Sequence, residues 1–141
     1  MKPSIFISFD YENDKHYKFL LSALSNNKRF DIAFNDRSSG EIQSYNIPTV
    51  KGALTRRINS ATHTLVIVGE YANTYHKDSN EIGYRNWINF EVAKSKEAQN
   101  KLVAVKIERS YESPEELLSA NASWAYSYDV EAISRAIDNA K

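Results

Sequence analysis

Apolar residues in this chain gather in short runs, and longer stretches with helical spacing lie between them. Ile5-Phe6-Ile7-Ser8-Phe9 is β-branched and aromatic and reads as a buried strand. Asp10-Tyr11-Glu12-Asn13-Asp14 breaks the run with cap-type residues, and Tyr17, Leu20, Leu21 and Leu24 then predict a first amphipathic helix that ends at Asn26-Asn27. Residues 30–34 read as a second strand, followed by a polar, irregular stretch over 35–48. So long a connection inside a compact domain is usually functional. Val50, Leu54 and Ile58 form the apolar stripe of a second helix. Thr64-Leu65-Val66-Ile67-Val68 is apolar throughout, as a parallel strand covered on both faces should be. A polar loop from Gly69 to about Tyr84 leads into a helix that starts at 86–88 and ends near Asn100. The rest predicts a strand over 102–107, a short helix over 114–118, an edge strand over 124–126 and a final helix carrying Val130, Ile133 and Ile137, with Asp129 as its N-cap.

Strands and helices alternate, which requires crossover helices and a mainly parallel sheet with helices on both faces. The expectation is one domain over 1–141, with a single flavodoxin-like, doubly wound α/β fold. In such sheets ligands bind beyond the carboxyl ends of the strands, where strand order reverses. For the flavodoxin-like order that point lies between the first and third strands. The rule directs attention to Ser8, Phe9 and Asp10, to the stretch from Val68 to Trp87 and Glu91, and to Asp36 and Arg37 in the long loop.

Composition narrows the function classes. Lys+Arg and Asp+Glu balance at 18 each, and no basic run appears, so there is no electrostatic case for nucleic acid or an anionic membrane. The lack of cysteine removes disulfides, thiolate zinc sites and cysteine nucleophiles together. His16, His63 and His76 are scattered without metal-like spacing, and His63 reads as a packed or capped residue. No stretch approaches the roughly 20 apolar residues of a membrane span, and the start has no secretory h-region. A cytoplasmic protein is expected. No Walker loop and no Gly-x-Gly-x-x-Gly is present. The third strand ends Val68-Gly69-Glu70, without the phospho-acceptor Asp of a receiver domain, and Asp10-Tyr11-Glu12 would repel a flavodoxin's phosphate.

With the elements placed, Phe6-Ile7-Ser8-Phe9-Asp10 resembles the first strand of TIR domains, and Thr64-Leu65-Val66-Ile67-Val68-Gly69 resembles the strand that precedes their catalytic helix. Trp87-Ile88-Asn89-Phe90-Glu91 matches the Trp-x-x-x-Glu spacing of that helix, with Ile88 where many TIR domains have Cys. The end of the chain, after Trp124-Ala125-Tyr126-Ser127-Tyr128, is similar to the TIR-like branch that includes the Thoeris anti-phage proteins of ThsB type.

This resemblance implies an enzyme that takes NAD as substrate, without a further cofactor, and cleaves the nicotinamide–ribose bond. It implies a cyclic ADP-ribose-type signal for a separate effector protein, and TIR–TIR self-association. Glu91 is the implied catalytic carboxylate, and Trp87, at i−4, shares its helix face. Ser8, Phe9, Asp10, Asp36, Tyr84 and Trp87 are the candidate substrate contacts, with Arg37 a candidate for phosphate and Tyr71 and Tyr75 for the loop lining. Each has a plainer reading: Glu91 as a solvated helix charge, Trp87 as helix packing, Ser8 as a strand-end cap, Asp10 as a helix-entry residue. Two other functions fit the same elements, a non-catalytic TIR adaptor and a glycosyl-transfer enzyme like the nucleoside deoxyribosyltransferases.

Overall fold

The computed structural model describes residues 3–17 and 46–141. The expected second strand, most of the first helix and nearly all of the long polar loop, with Asp36 and Arg37, lie outside the described residues.

Among the described residues, four strands form one parallel sheet in the order β1-β2-β3-β4: β1 Ile5–Ser8, β2 His63–Val68, β3 Lys101–Lys106 and β4 Ser123–Ala125. The register sets Ser8 beside Val66, and Val66 beside Ala104. β1 therefore lies directly against the strand that the sequence places third, as a flavodoxin-like order requires. The helices are α1 Tyr11–Asp14, which continues into a 3-10 turn at Lys15–Tyr17, then α2 Ile47–Asn59, α3 Ser79–Ile82, α4 Trp87–Glu97 and α5 Val130–Asn139. α3 is a helical turn inside the stretch expected to be loop throughout, and the short helix near 114–118 is a 3-10 turn at Glu115–Leu117.

Strand alternation sorts the core into two faces. Ile5, Ile7, Leu65, Ile67, Val103 and Val105 pack with Ile133 and Ile137 of α5. The even positions face the other way. Val66, Val68, Leu102 and Ala104 meet Ile88 and Val92 of α4, and Phe6 joins Val50, Leu54 and Ile58 of α2 and Phe90 of α4. Each helix stripe thus has a sheet face to bury against. Three side chains fix where helices start. Asn46 accepts from the Thr49 N–H at 3.0 Å, Asn86 from the Asn89 N–H at 2.9 Å, and Asp129, as expected, from the Ala132 N–H at 2.8 Å.

The end of α1, just after β1, comes close to the exit of β2. The Asp14 carboxylate lies on the Cα of Gly69, in the space a Cβ would occupy. Asp14 is 5% exposed and its Oδ2 has no hydrogen-bond partner. Burial first, then the charges of Asp10 and Glu70, raise its pKa to about 6, while His16 acts in the opposite sense. Only glycine allows this approach. Gly69→Ala is expected to cost about 1–3 kcal/mol in urea unfolding by overpacking. Because the clash is with one side chain, Asp14→Ala in the same chain should recover most of that loss; additive losses would show that the two residues do not meet.

Candidate active site

The carboxyl end of β1 and the second turn of α4 meet on the even face of the sheet. β1 places Ser8 there, on the same side as Phe6. α4, capped by Asn86, carries Trp87 in its first turn and Glu91 one turn further in. The Ser8 hydroxyl donates to Oε1 of Glu91 at 2.6 Å. Both residues are sealed, Ser8 at 0% and Glu91 at 1% exposure. Glu91 is thus not a solvated helix charge. Its second oxygen, Oε2, is buried with no hydrogen-bond partner.

Electrostatics follow from that burial. Removal from water disfavours the carboxylate and raises the pKa of Glu91 to about 8, against opposing effects of the Ser8 hydrogen bond and the charge of Arg57 on α2. At neutral pH the group is mostly protonated. A carboxyl poised at this point can exchange a proton near working pH, which a surface glutamate cannot.

An aromatic cluster centres on Phe90, which precedes Glu91 on α4 and is buried. Tyr84 meets its ring edge-on at 5.9 Å between centroids, and Trp87 does so at 5.5 Å. Both are half-buried, so each presents one side to the core and the other outward. Phe9, expected at the site, is buried on the opposite face, in the core with Leu65 and Ile133. The alternation that turns Ser8 towards α4 turns Phe9 away from it. Asp10 accepts from the Asn13 side chain at 2.7 Å and from its N–H at 3.4 Å, so it serves the entry of α1. His63 is packed, with its Nδ1 2.8 Å from the Thr62 hydroxyl. Tyr71 and Tyr75 are exposed on the loop after β2, and Tyr75 is braced by Arg85, whose guanidinium lies 4.1 Å from its ring centre. Among the described residues, no group of three His, Asp or Glu side chains could hold a metal ion.

Periodicity gave no sign of an asparagine network that holds α4 in place. Asn86 donates to the carbonyls of Ala72 and Thr74, at 2.9 Å each, while its Oδ1 caps the helix. Asn89, wholly buried, donates to Asn73 and Asn86 and accepts from the Glu116 N–H at 2.9 Å. Asn73 also accepts from the Glu115 N–H at 3.0 Å and donates to Glu112 at 3.1 Å. The loop after β2, the start of α4 and the turn at Glu115–Leu117 are thereby tied together. The one available signal was Asn86 three residues before Asn89 at a helix start.

A family model described as the TIR-like domain of the Thoeris protein ThsB matches residues 6–112. The chain belongs to the ThsB TIR-like family. The matched span contains Ser8, Asp14, Gly69, all three network asparagines and Glu91. Membership puts this ThsB-type chain among the TIR-like proteins of Thoeris anti-phage defence, a setting that points to an effector partner. No curated protein matches it. Among the described residues no helix is long and apolar enough to cross a membrane.

The buried carboxyl has a consequence for stability. The unfolded chain releases the Glu91 proton near pH 4.5, whereas the folded chain keeps it to about pH 8. Between those values the folded state binds more protons, so stability is full below the lower value and falls as pH rises through the upper one. Wild type should lose thermal stability from pH 5 to pH 9, and Glu91→Gln, which keeps the shape without the proton, should flatten the part of that fall above pH 6. Parallel melting curves for the two proteins across that range would show that Glu91 is not the buried titrating group.

Proposed function

We propose that this ThsB-type domain is an NAD-consuming enzyme that cleaves the nicotinamide–ribose bond, with Glu91 as its catalytic carboxylate. The observation that carries the reading is the unpartnered Oε2 of Glu91, a buried polar oxygen at the carboxyl edge of the sheet. A buried oxygen without a partner costs free energy that a ligand hydroxyl would restore. A ribose offers such hydroxyls.

The chemistry suits one carboxylate. The bond between ribose C1′ and the pyridinium nitrogen breaks with its electron pair going to nitrogen, so nicotinamide leaves neutral and needs no general acid. The ribose becomes oxocarbenium-like, and a carboxylate beside it stabilises that charge. Approach of the cationic ring also favours loss of the Glu91 proton, since an opposite charge nearby lowers a carboxyl pKa. The half-buried rings of Trp87 and Tyr84 offer a stacking surface for nicotinamide. Capture of C1′ by water, with loss of a proton, gives ADP-ribose. Capture by an adenine nitrogen or ribose hydroxyl of the same molecule gives a cyclic isomer, and a site as dry as this one favours the second course. The product then acts on a separate effector protein. We extend the same reading to one domain over 1–141, active in the cytoplasm and as a self-associated assembly.

Nucleotide extracts from cells expressing wild type or Glu91→Gln, before and after phage challenge, test this by liquid chromatography and mass spectrometry. Wild type should yield an ADP-ribose isomer after challenge, and the variant should fall at least about 10²-fold short. With purified protein, kcat/KM should climb about tenfold per pH unit below pH 8 and level off above it, because the ionised carboxylate is the working form. Folded wild type that makes no product under any trigger would leave an adaptor acting through protein contacts.

A further inference from the structure

We propose that Ser8 is a positioning residue: its hydroxyl acts through Glu91, holding Oε1 so that Oε2 is left to receive the substrate. The inference builds on the reading of Glu91 as the catalytic carboxylate and reassigns Ser8, which the sequence placed among the substrate contacts.

Three observations carry it. Ser8 has no exposed surface, and its single O–H is committed to Glu91. Its backbone is locked into the parallel register opposite Val66, which fixes the hydroxyl relative to the sheet. Its bond to Glu91 is short, at 2.6 Å, and engages one carboxyl oxygen while the other stays unpartnered. A serine fully buried at the end of β1 would be destabilising without a partner, and Glu91 is that partner.

The pairing also bears on the charge state of Glu91, against the larger effect of burial. Among the described residues the groups around that carboxyl are few. β1 supplies the Ser8 hydroxyl, α2 the Arg57 charge, and the neutral Thr64 of β2 is engaged with Ser95 at 2.6 Å. On α4 itself, Ser95 donates to the Glu91 backbone carbonyl at 2.7 Å rather than to its side chain. Ser8 is therefore the hydrogen-bond donor that offsets the desolvation of the carboxylate. Without it the carboxyl should hold its proton to higher pH and lose its fixed orientation. A hydroxyl that merely filled space would leave both properties unchanged when removed.

The test is Ser8→Ala, with Ser8→Thr as the conservative rescue and Ser8→Cys as an isosteric weak donor, each checked for folding by near-UV circular dichroism. The Glu91 proton is read directly from the infrared band of the neutral carboxyl that Glu91→Gln removes, titrated in the purified protein. A hydrogen bond to a charged group corresponds to roughly one to two pH units, or about 10- to 100-fold in proton affinity. Ser8→Ala should raise the midpoint by that amount, Ser8→Cys by less, and Ser8→Thr should restore it. The pH at which kcat/KM levels off should move in step, while the KM for NAD measured above that pH stays near wild type. An unmoved midpoint, or a raised KM without a shift in the profile, would overturn the assignment and return Ser8 to direct substrate contact or simple packing. If Ser8→Ala does not fold, the ordering of Ser8→Cys against Ser8→Thr decides by the same criteria. If wild type turns over no NAD yet the infrared midpoint responds to Ser8, the positioning role stands and the enzymatic reading alone fails.

Discussion

The cost of placing a carboxyl in an apolar interior governs this structure. Glu91 is buried on α4, and among the described residues a single hydroxyl holds its side chain. A glutamine or leucine there would pack with less penalty, and leaving one partner of a buried hydrogen bond unsatisfied is expensive. The surrounding elements keep the carboxyl from escaping to water. β1 ends at Ser8, α4 begins at a capped Asn86, and three asparagines prevent the helix from sliding along the sheet. The second unsatisfied carboxyl, Asp14 on Gly69, sits at the next strand exit. Two buried acids, each with one carboxyl oxygen unpartnered, make this edge sensitive to protons.

The layered fold was legible because it rests on periodicity. Even and odd strand positions meet different helices, and Val50, Leu54 and Ile58 fall on one buried stripe. Asp129 was readable as a cap because its side chain acts within its own turn. Glu91 could be singled out because Trp87 and the strand before it gave a spacing and a context. Its burial could not be read, since helix spacing shows which residues share a face and not what covers them. Phe9 shows the same limit in reverse. It adjoins Ser8 in sequence, but one step along a strand moves a side chain to the other face.

Long-range polar contacts were the least visible layer. The bonds from Asn73 to Glu115 and Glu112, and from Asn89 to Glu116, join residues far apart in sequence. Asparagine in a polar stretch reads as loop, and only the fold brings these amides together. The pressure of Asp14 on Gly69 was hidden for a similar reason, because a glycine after a strand looks like a turn until the neighbouring strand's exit is known.

Asn86 does two tasks with one amide: its oxygen caps α4 and its nitrogen grips the carbonyls of Ala72 and Thr74. Fraying of the helix start and release of the preceding loop therefore share the same broken bonds. Amide hydrogens across the loop after β2 and the first turn of α4 are expected to exchange with solvent together, as one opening unit. A partner that pulls on the exposed tyrosines of this loop would loosen the helix turn just before Glu91, so the energy of a contact at the surface is delivered to the dry interior without any motion of the sheet.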